Sequence, residues 1–314
     1  MNMTKSVLIL VAVIIIGSFA IFSITRNQTP AAVSDSLVYC GSDGSLSNTK
    51  SIQSHRSYCI KSNAQTSTFT MNTPSSYSFS IVDDQGNILK DFQITHTKLL
   101  HLIVVRKDLA YFQHVHPDFD QTTGTFTLKD LTFPADGQYR IFADFAPVGA
   151  QIDAMGTPLA VTPFEDASVG NTANYVAQSI GSGEKTKTFG DLTVALATQS
   201  APTSGAEGML TFSLSQNGKP VTDLQTYLGA LGHAVILREG NLDFIHAHPV
   251  EAATSPQSGK VNFMVDFPEA GKYKVFTQFQ RGGKVITTDF VVTVTQAVNP
   301  PAPAMNHGSM QMNQ

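Results

Sequence analysis

Polar and apolar residues alternate along most of this chain. Tyr77-Ser78-Phe79-Ser80-Ile81, Thr125-Phe126-Thr127-Leu128 and Tyr273-Lys274-Val275-Phe276-Thr277 follow the period of two that places successive side chains on opposite faces of a strand. The runs are short, and Gly, Pro, Asn and Asp interrupt them every ten residues or so. No long stretch of this region has a strong helical period. The pattern predicts an all-β protein built as sandwiches of about seven strands each. The beginning of the chain differs. Lys5 precedes an apolar run from Val7 to Ala20 that continues, with Ser23 as an interruption, to Ile24. Its length approaches the roughly 20 residues needed to cross a bilayer and exceeds the roughly 7–15 of a secretory apolar region. The expectation is an uncleaved signal anchor that contacts the membrane through residues 7–24. It would leave single-pass protein with extracytoplasmic domains in the cell membrane. Cleavage at Ser18-Phe19-Ala20, giving a secreted or periplasmic protein, is the alternative.

The chain also repeats itself. Phe133-Pro134-Ala135-Asp136-Gly137 recurs as Phe267-Pro268-Glu269-Ala270-Gly271, each followed two residues later by Tyr139 or Tyr273. Phe142-Ala143-Asp144-Phe145 recurs as Phe276-Thr277-Gln278-Phe279. Two copies of one domain of about 100 residues follow, a common domain size. The expected organisation is a signal anchor or signal peptide over 1–25 and a stalk with a small disulfide module over 26–66. A first sandwich over 67–163, a linker over 164–186, a second sandwich over 187–296 and a tail over 297–314 complete it. Both sandwiches are expected to be immunoglobulin-like and arranged in tandem.

The candidate chemistry lies inside the repeat. Six of the nine histidines form two triplets of identical spacing: His101, His114 and His116, then His233, His246 and His248. The flanks agree, as Phe112-Gln113-His114-Val115-His116-Pro117 and Phe244-Ile245-His246-Ala247-His248-Pro249. Each triplet spans two strands. Leu102–Val105 and Tyr111–Val115 flank a tight turn near Asp108-Leu109, and Ala234–Leu237 and Asp243–Ala247 flank a two-residue turn at Gly240-Asn241. Centring each hairpin on its turn sets His101 opposite His116 and His233 opposite His248, with His114 and His246 diagonal on the same face. Opposed Cβ atoms lie about 4.5–5.5 Å apart and diagonal ones about 7–8 Å, so three imidazoles can converge on one ion. Imidazole suits zinc, copper and nickel. Such a metal also removes the repulsion between like-charged rings below a pH of roughly 6.5. His96 is a candidate further ligand for the first site only, because Leu228 stands in its place in the second copy. Asp144 is a candidate oxygen ligand, replaced by Gln278. The plain alternative is that each His-x-His-Pro is a structural corner copied by duplication.

Two further features change the picture. After the stiff Pro300-Pro301-Ala302-Pro303 spacer, Met305, His307, Met310 and Met312 lie in a polar tail that holds a third of the chain's methionines. Thioether sulfur selects copper(I) over zinc, so copper is the expected metal and zinc the alternative. Cys40 and Cys59 are the only cysteines. An even count in an exported chain suggests one disulfide, and a Cys-His metal site through His55 is the lesser option.

The segments His101–Pro117 and Tyr227–Pro249 carry a resemblance. Their His-Leu-Ile-Val-Val strand with Phe-Gln-His-x-His-Pro, and Tyr-Leu-Gly-Ala-x-Gly-His with His-x-His-Pro, are similar to exported bacterial β-sandwich proteins with duplicated His-x-His-Pro motifs. These are heavy-metal- or copper-associated and poorly characterised. The resemblance spans residues 75–295, implies metal handling and supplies no established activity. The net charge of −4 comes without a basic stripe or aromatic platform, so no nucleic-acid partner is expected. No phosphate loop, Gly-x-Ser-x-Gly or metalloprotease helix occurs, and no acid, base or nucleophile repeats beside the triplets. The expectation is therefore a copper-binding protein for sequestration or delivery, not an enzyme, whose partner is another envelope metal-handling protein. A surface adhesion module with structural histidines is the second reading, and a metal-dependent enzyme the third.

Overall fold

The computed structural model describes residues 58–62, 68–151, 158–247, 249–250 and 256–297, and the backbone strands Leu37–Cys40 and Leu46–Thr49. Among these residues there is no α-helix, only strands and two short 3-10 turns. The apolar segment 7–24 and the tail lie outside them. None of the described helices is long and apolar enough to cross a membrane.

The first sandwich has one sheet in the order Tyr58–Ser62, Ser75–Asp83, Thr125–Leu131, Asp118–Asp120. The facing sheet runs Thr68–Phe69, Phe164–Val169, Gly137–Asp144, His101–Arg106, Phe112–Val115. All pairs are antiparallel except Thr68–Phe69 with Phe164–Val169. The second sandwich has Thr186–Phe189, Leu192–Thr198 and Glu207–Gln216, with Lys219–Pro220 and Lys260–Asp266 also pairing to Glu207–Gln216. Against it lie Leu224–Gln225, Gly271–Arg281, His233–Arg238 and Phe244–Ala247, with Lys284–Val294 paired to Gly271–Arg281. Gly282 and Gly283 close that last hairpin at φ 55° and 73°, the left-handed pair that a type I′ turn requires.

Two expected boundaries are corrected. Phe164–Val169 falls in the stretch read as linker, yet pairs with Gly137–Asp144 over six residues. Its polar composition misled because one face is wet: Glu165, Ala167 and Val169 are buried and alternate with partly exposed residues. Tyr58–Ser62 falls in the stretch read as stalk, yet pairs with Ser75–Asp83 and buries Tyr58 and Ile60 in the first core.

The central strands explain how the sandwiches meet. In His101–Arg106 every residue is buried. Leu102 and Val104 enter the first core beside Tyr77, Phe79 and Ile141. Ile103 and Val105, on the opposite face, join a separate apolar cluster with Phe142, Val235, Leu237 and Phe276. In His233–Arg238 likewise, Ala234 and Ile236 enter the second core while Val235 and Leu237 enter the shared cluster. The two sandwiches thus pack through the same strands of each repeat. Phe112 stacks on Phe276 at 4.4 Å and 11°, and the repeat-equivalent pair Phe244 and Phe142 sits at 5.1 Å. The seam has the self-complementarity of an isologous interface within one chain.

Candidate metal centre

By the period of two, His101 shares the seam face of its strand with Ile103 and Val105, and His114 shares the seam face with Phe112. The hairpin register is Leu102↔Val115 and Ile103↔His114 in the first repeat, and Ala234↔Ala247 and Val235↔His246 in the second, as the spacing predicts. The turns differ from expectation. Arg106 N–H donates to Tyr111 C=O and Arg238 N–H to Asp243 C=O, so each loop has four residues centred where a two-residue turn was expected. Leu109 and Leu242 take φ 61° and 62° there. Both side chains are buried in the seam, and this burial offsets the cost of a left-handed leucine, about 1–3 kcal/mol.

Each first histidine is tethered the same way. His101 Nε2 lies 3.1 Å from Thr95 O, and His233 Nε2 lies 2.9 Å from Tyr227 O. These carbonyls belong to equivalent tight turns, Thr95–Lys98 and Tyr227–Ala230, whose central residues all have positive φ. A carbonyl only accepts, so Nε2 carries the proton and Nδ1 presents a lone pair in both rings.

The middle histidines are oriented from across the seam. Gln278 Nε2 donates to Thr287 Oγ1 at 3.1 Å, which leaves Gln278 Oε1 to accept from His114 Nδ1 at 2.7 Å. Reciprocally, His246 Nδ1 donates to Asp144 Oδ2 at 2.7 Å, while Thr162 Oγ1 donates to Asp144 Oδ1 at 2.8 Å. Asp144 and Gln278 occupy equivalent positions of the two repeats and sit directly cross-strand from His101 and His233. The proton on Nδ1 leaves Nε2 of His114 and of His246 as the donor atom toward a cation.

In the first repeat the consequence is visible. His101 Nδ1 is 3.0 Å from His114 Nε2 and 3.1 Å from His116 Nε2, and the three ligand atoms all lie within 4.8 Å of one another. A proton on His116 Nε2 satisfies only one of these contacts. The other, between His101 Nδ1 and His114 Nε2, sets two lone pairs against each other. A cation with bonds of about 2.0–2.1 Å separates tetrahedral ligand nitrogens by roughly 3.3 Å, close to the spacing found. Burial pushes the His114 imidazole well below its usual range, with His101 and His116 adding to the effect. Burial and then His101 hold His116 down to about 3. Neutral imidazole is the ligating form.

The structure brings together more of the predicted ligands than one triad. His246 lies 5.8 Å from His101 between ring centroids, and His96 lies 5.3 Å from His233, 5.7 Å from His246 and 6.0 Å from His101. His96 was expected to serve the first site only. Its ring lies nearer to the second repeat's rings than to His101. Among the described residues the ligand atoms of His101, His114 and His116 converge, and the rings of His96, His233 and His246 lie beside them. Asp144 joins them as a partner of His246. His248, Met305, His307, Met310 and Met312 lie outside the described residues. So does the Cys40 side chain, while Cys59 is buried beside Val82 and no described cysteine is free. Sequence reasoning missed the seam. Its signal was present in the unbroken apolar runs Leu102–Val105 and Ala234–Leu237, which mark strands buried on both faces.

A family defined as a domain of unknown function, DUF8832, matches residues 57–159 and 187–296. The chain belongs to this family. Its first match begins beside Tyr58–Ser62, in agreement with the strand assigned above. No curated protein matches the chain. Among solved structures, a DUF4426 family protein of Pseudomonas aeruginosa is similar at 14% identity and a TM-score of 0.28, covering 36% of this chain and 95% of that one. The fibronectin(III)-like modules of Clostridium thermocellum CbhA are similar at 10% identity and a TM-score of 0.20, covering 76% of this chain and 94% of that one. The alpha-2-macroglobulin of E. coli is similar at 13% identity and a TM-score of 0.24, with 80% of this chain covered and 16% of that one.

Proposed function

We propose that this protein binds a transition-metal cation at the seam between its two sandwiches, as an extracytoplasmic sequestration or delivery protein and not as an enzyme. The observation that carries this reading is the convergence of His101 Nδ1, His114 Nε2 and His116 Nε2. The far nitrogens of His101 and His114 are already committed to Thr95 O and Gln278 Oε1. Outer partners of this kind fix the tautomer and raise the basicity of a ligating imidazole. An all-imidazole set suits copper(II) or zinc(II) and disfavours magnesium and calcium. The His233 and His246 pair of the second repeat is wired in the same way and, with His248, would hold a second ion. We assign copper as the physiological metal from the Met305, His307, Met310 and Met312 tail, whose thioethers suit copper(I), with zinc as the alternative. The remaining assignments are immunoglobulin-like topology, a Cys40–Cys59 disulfide, a membrane anchor over 7–24 and an envelope metal-handling partner.

The test is a titration of the full-length chain with copper(II) and with zinc(II), read by calorimetry and chelator competition. About two equivalents are expected. His114→Ala with His116→Ala should remove one of them. Unchanged stoichiometry and affinity in that variant would show that the triad is structural.

A further inference from the structure

The three rings of the first triad are held with unequal firmness. His101 and His114 lie within paired strands and are 0% and 8% exposed. Each has its far nitrogen fixed, His101 Nε2 at 3.1 Å from Thr95 O and His114 Nδ1 at 2.7 Å from Gln278 Oε1. His116 comes just after the strand Phe112–Val115 and lies outside its ladder. It is partly exposed, and among the described residues its one hydrogen-bond contact is that of Nε2 with His101 Nδ1. His116 also lines a depression of about 320 Å³, together with Ile94, Lys98, Pro117, Asp118 and Phe119. Asp118 is paired with Lys129 at 3.7 Å, whereas Lys98 forms no ion pair among the described residues. The charge balance at the rim is therefore positive.

We infer that a small carboxylate-bearing ligand, entering from this depression, takes the triad's ion by displacing His116. The inference rests on the metal-binding reading above. In the exchange the bond from the ion to His116 Nε2 breaks as a bond to a carboxylate oxygen forms, and the ion's oxidation state does not change. His116 is the ligand that yields because no outer partner holds its ring and no ladder holds its backbone. Its release breaks no other hydrogen bond of the ring. His101 and His114 stay on the ion, each kept in place by its outer partner. A depression of this volume stands at the lower end of the roughly 300–1,000 Å³ of small-molecule sites. Lys98 draws an anion to the rim. A charge in that position changes the rate of encounter more than the affinity, and Lys98 is not a ligand of the ion in this account.

The experiment loads the full-length chain, its histidine rings isotopically labelled, with zinc(II) and follows the rings by NMR. Two small chelators take the ion away: nitrilotriacetate, which carries carboxylates, and a neutral tripyridylamine of the same tripodal shape. As nitrilotriacetate is added, exchange broadening should appear at the His116 ring before the His101 and His114 rings. Transfer rates are read from the return of the metal-free His114 signal. Lys98→Gln should slow transfer to nitrilotriacetate about threefold and Lys98→Glu about tenfold. Transfer to the neutral chelator, and zinc affinity, should stay within about twofold of wild type. Lys98 is exposed, the unfolding midpoint of each metal-free variant checks folding, and the wild-type broadening decides the matter if a variant does not fold. First broadening at His101 or His114, or rates to the two chelators that respond alike to the Lys98 exchanges, overturns this inference alone. If zinc(II) leaves the His101, His114 and His116 resonances of the wild type unmoved, the metal-binding reading fails and this inference falls with it.

Discussion

Acidification should destabilise the metal-free protein in a way that can be traced to individual rings. His116 is held down to about 3, first by burial and then by His101. His233 is held down to about 4 by burial, then by His96 and His101. In the unfolded chain both return to about 6.5. Their folded values lie below the unfolded ones. The unfolded chain therefore binds more protons below pH 6.5, and stability falls as the pH falls. The loss starts near pH 6.5 and levels off only near pH 4 for His233 and pH 3 for His116. Between pH 6.5 and pH 5 each ring contributes ~1.5 pH units, or about 2 kcal/mol, and the pair about 4 kcal/mol. His101, His114 and His246 are displaced in the same direction and deepen the effect. Against a total stability of about 5–15 kcal/mol, such a loss should be plain. The assay is urea unfolding in a metal chelator at pH 7.5 and pH 5.0. His116→Gln and His233→Gln should each remove about 2 kcal/mol of the difference between the two pH values. A double variant that keeps the whole wild-type difference would refute the claim that buried neutral imidazoles cause it. Metal and protons compete for the same nitrogens, so the zinc affinity of the folded protein should hold through that window and fall only as the pH approaches about 4 for His233 and about 3 for His116.

Phe276→Ala removes the ring stacked on Phe112 in the seam and should cost about 3–5 kcal/mol. Because Gln278 on the same strand orients His114, zinc affinity should fall too, and unchanged affinity would separate the seam from the site. If Cys40 and Cys59 are joined, the intact mass should rise by two hydrogens on reduction; two alkylatable thiols in envelope-derived protein would exclude the bond. Deleting residues 305–314 should weaken copper(I) binding and spare zinc(II), since thioethers prefer the softer ion. Equal weakening of both would instead favour zinc and a role for His307.

The parts of this protein that depend on near neighbours in the chain were legible in its sequence. Alternation marked the strands, the turn centres set both hairpin registers, and the paired landmarks disclosed the duplication. A hairpin register follows from a local turn and a period of two, so Ile103↔His114 and Val235↔His246 could be reached without any tertiary knowledge. Strand edges of mixed polarity were harder. Phe164–Val169 and Tyr58–Ser62 are strands only because distant partners complete their ladders. The meeting of the two hairpins was decided by tertiary structure alone. His96 shares no local pattern with His233, nor Asp144 with His246, nor Gln278 with His114. They meet because the apolar faces of Ile103, Val105, Val235 and Leu237 are buried against each other. Burial of apolar surface is non-directional, so sequence can flag a face that must be covered without saying what covers it. Here the cover is the other repeat, and that choice sets two similar hairpins side by side, with a carboxylate against one and an amide against the other.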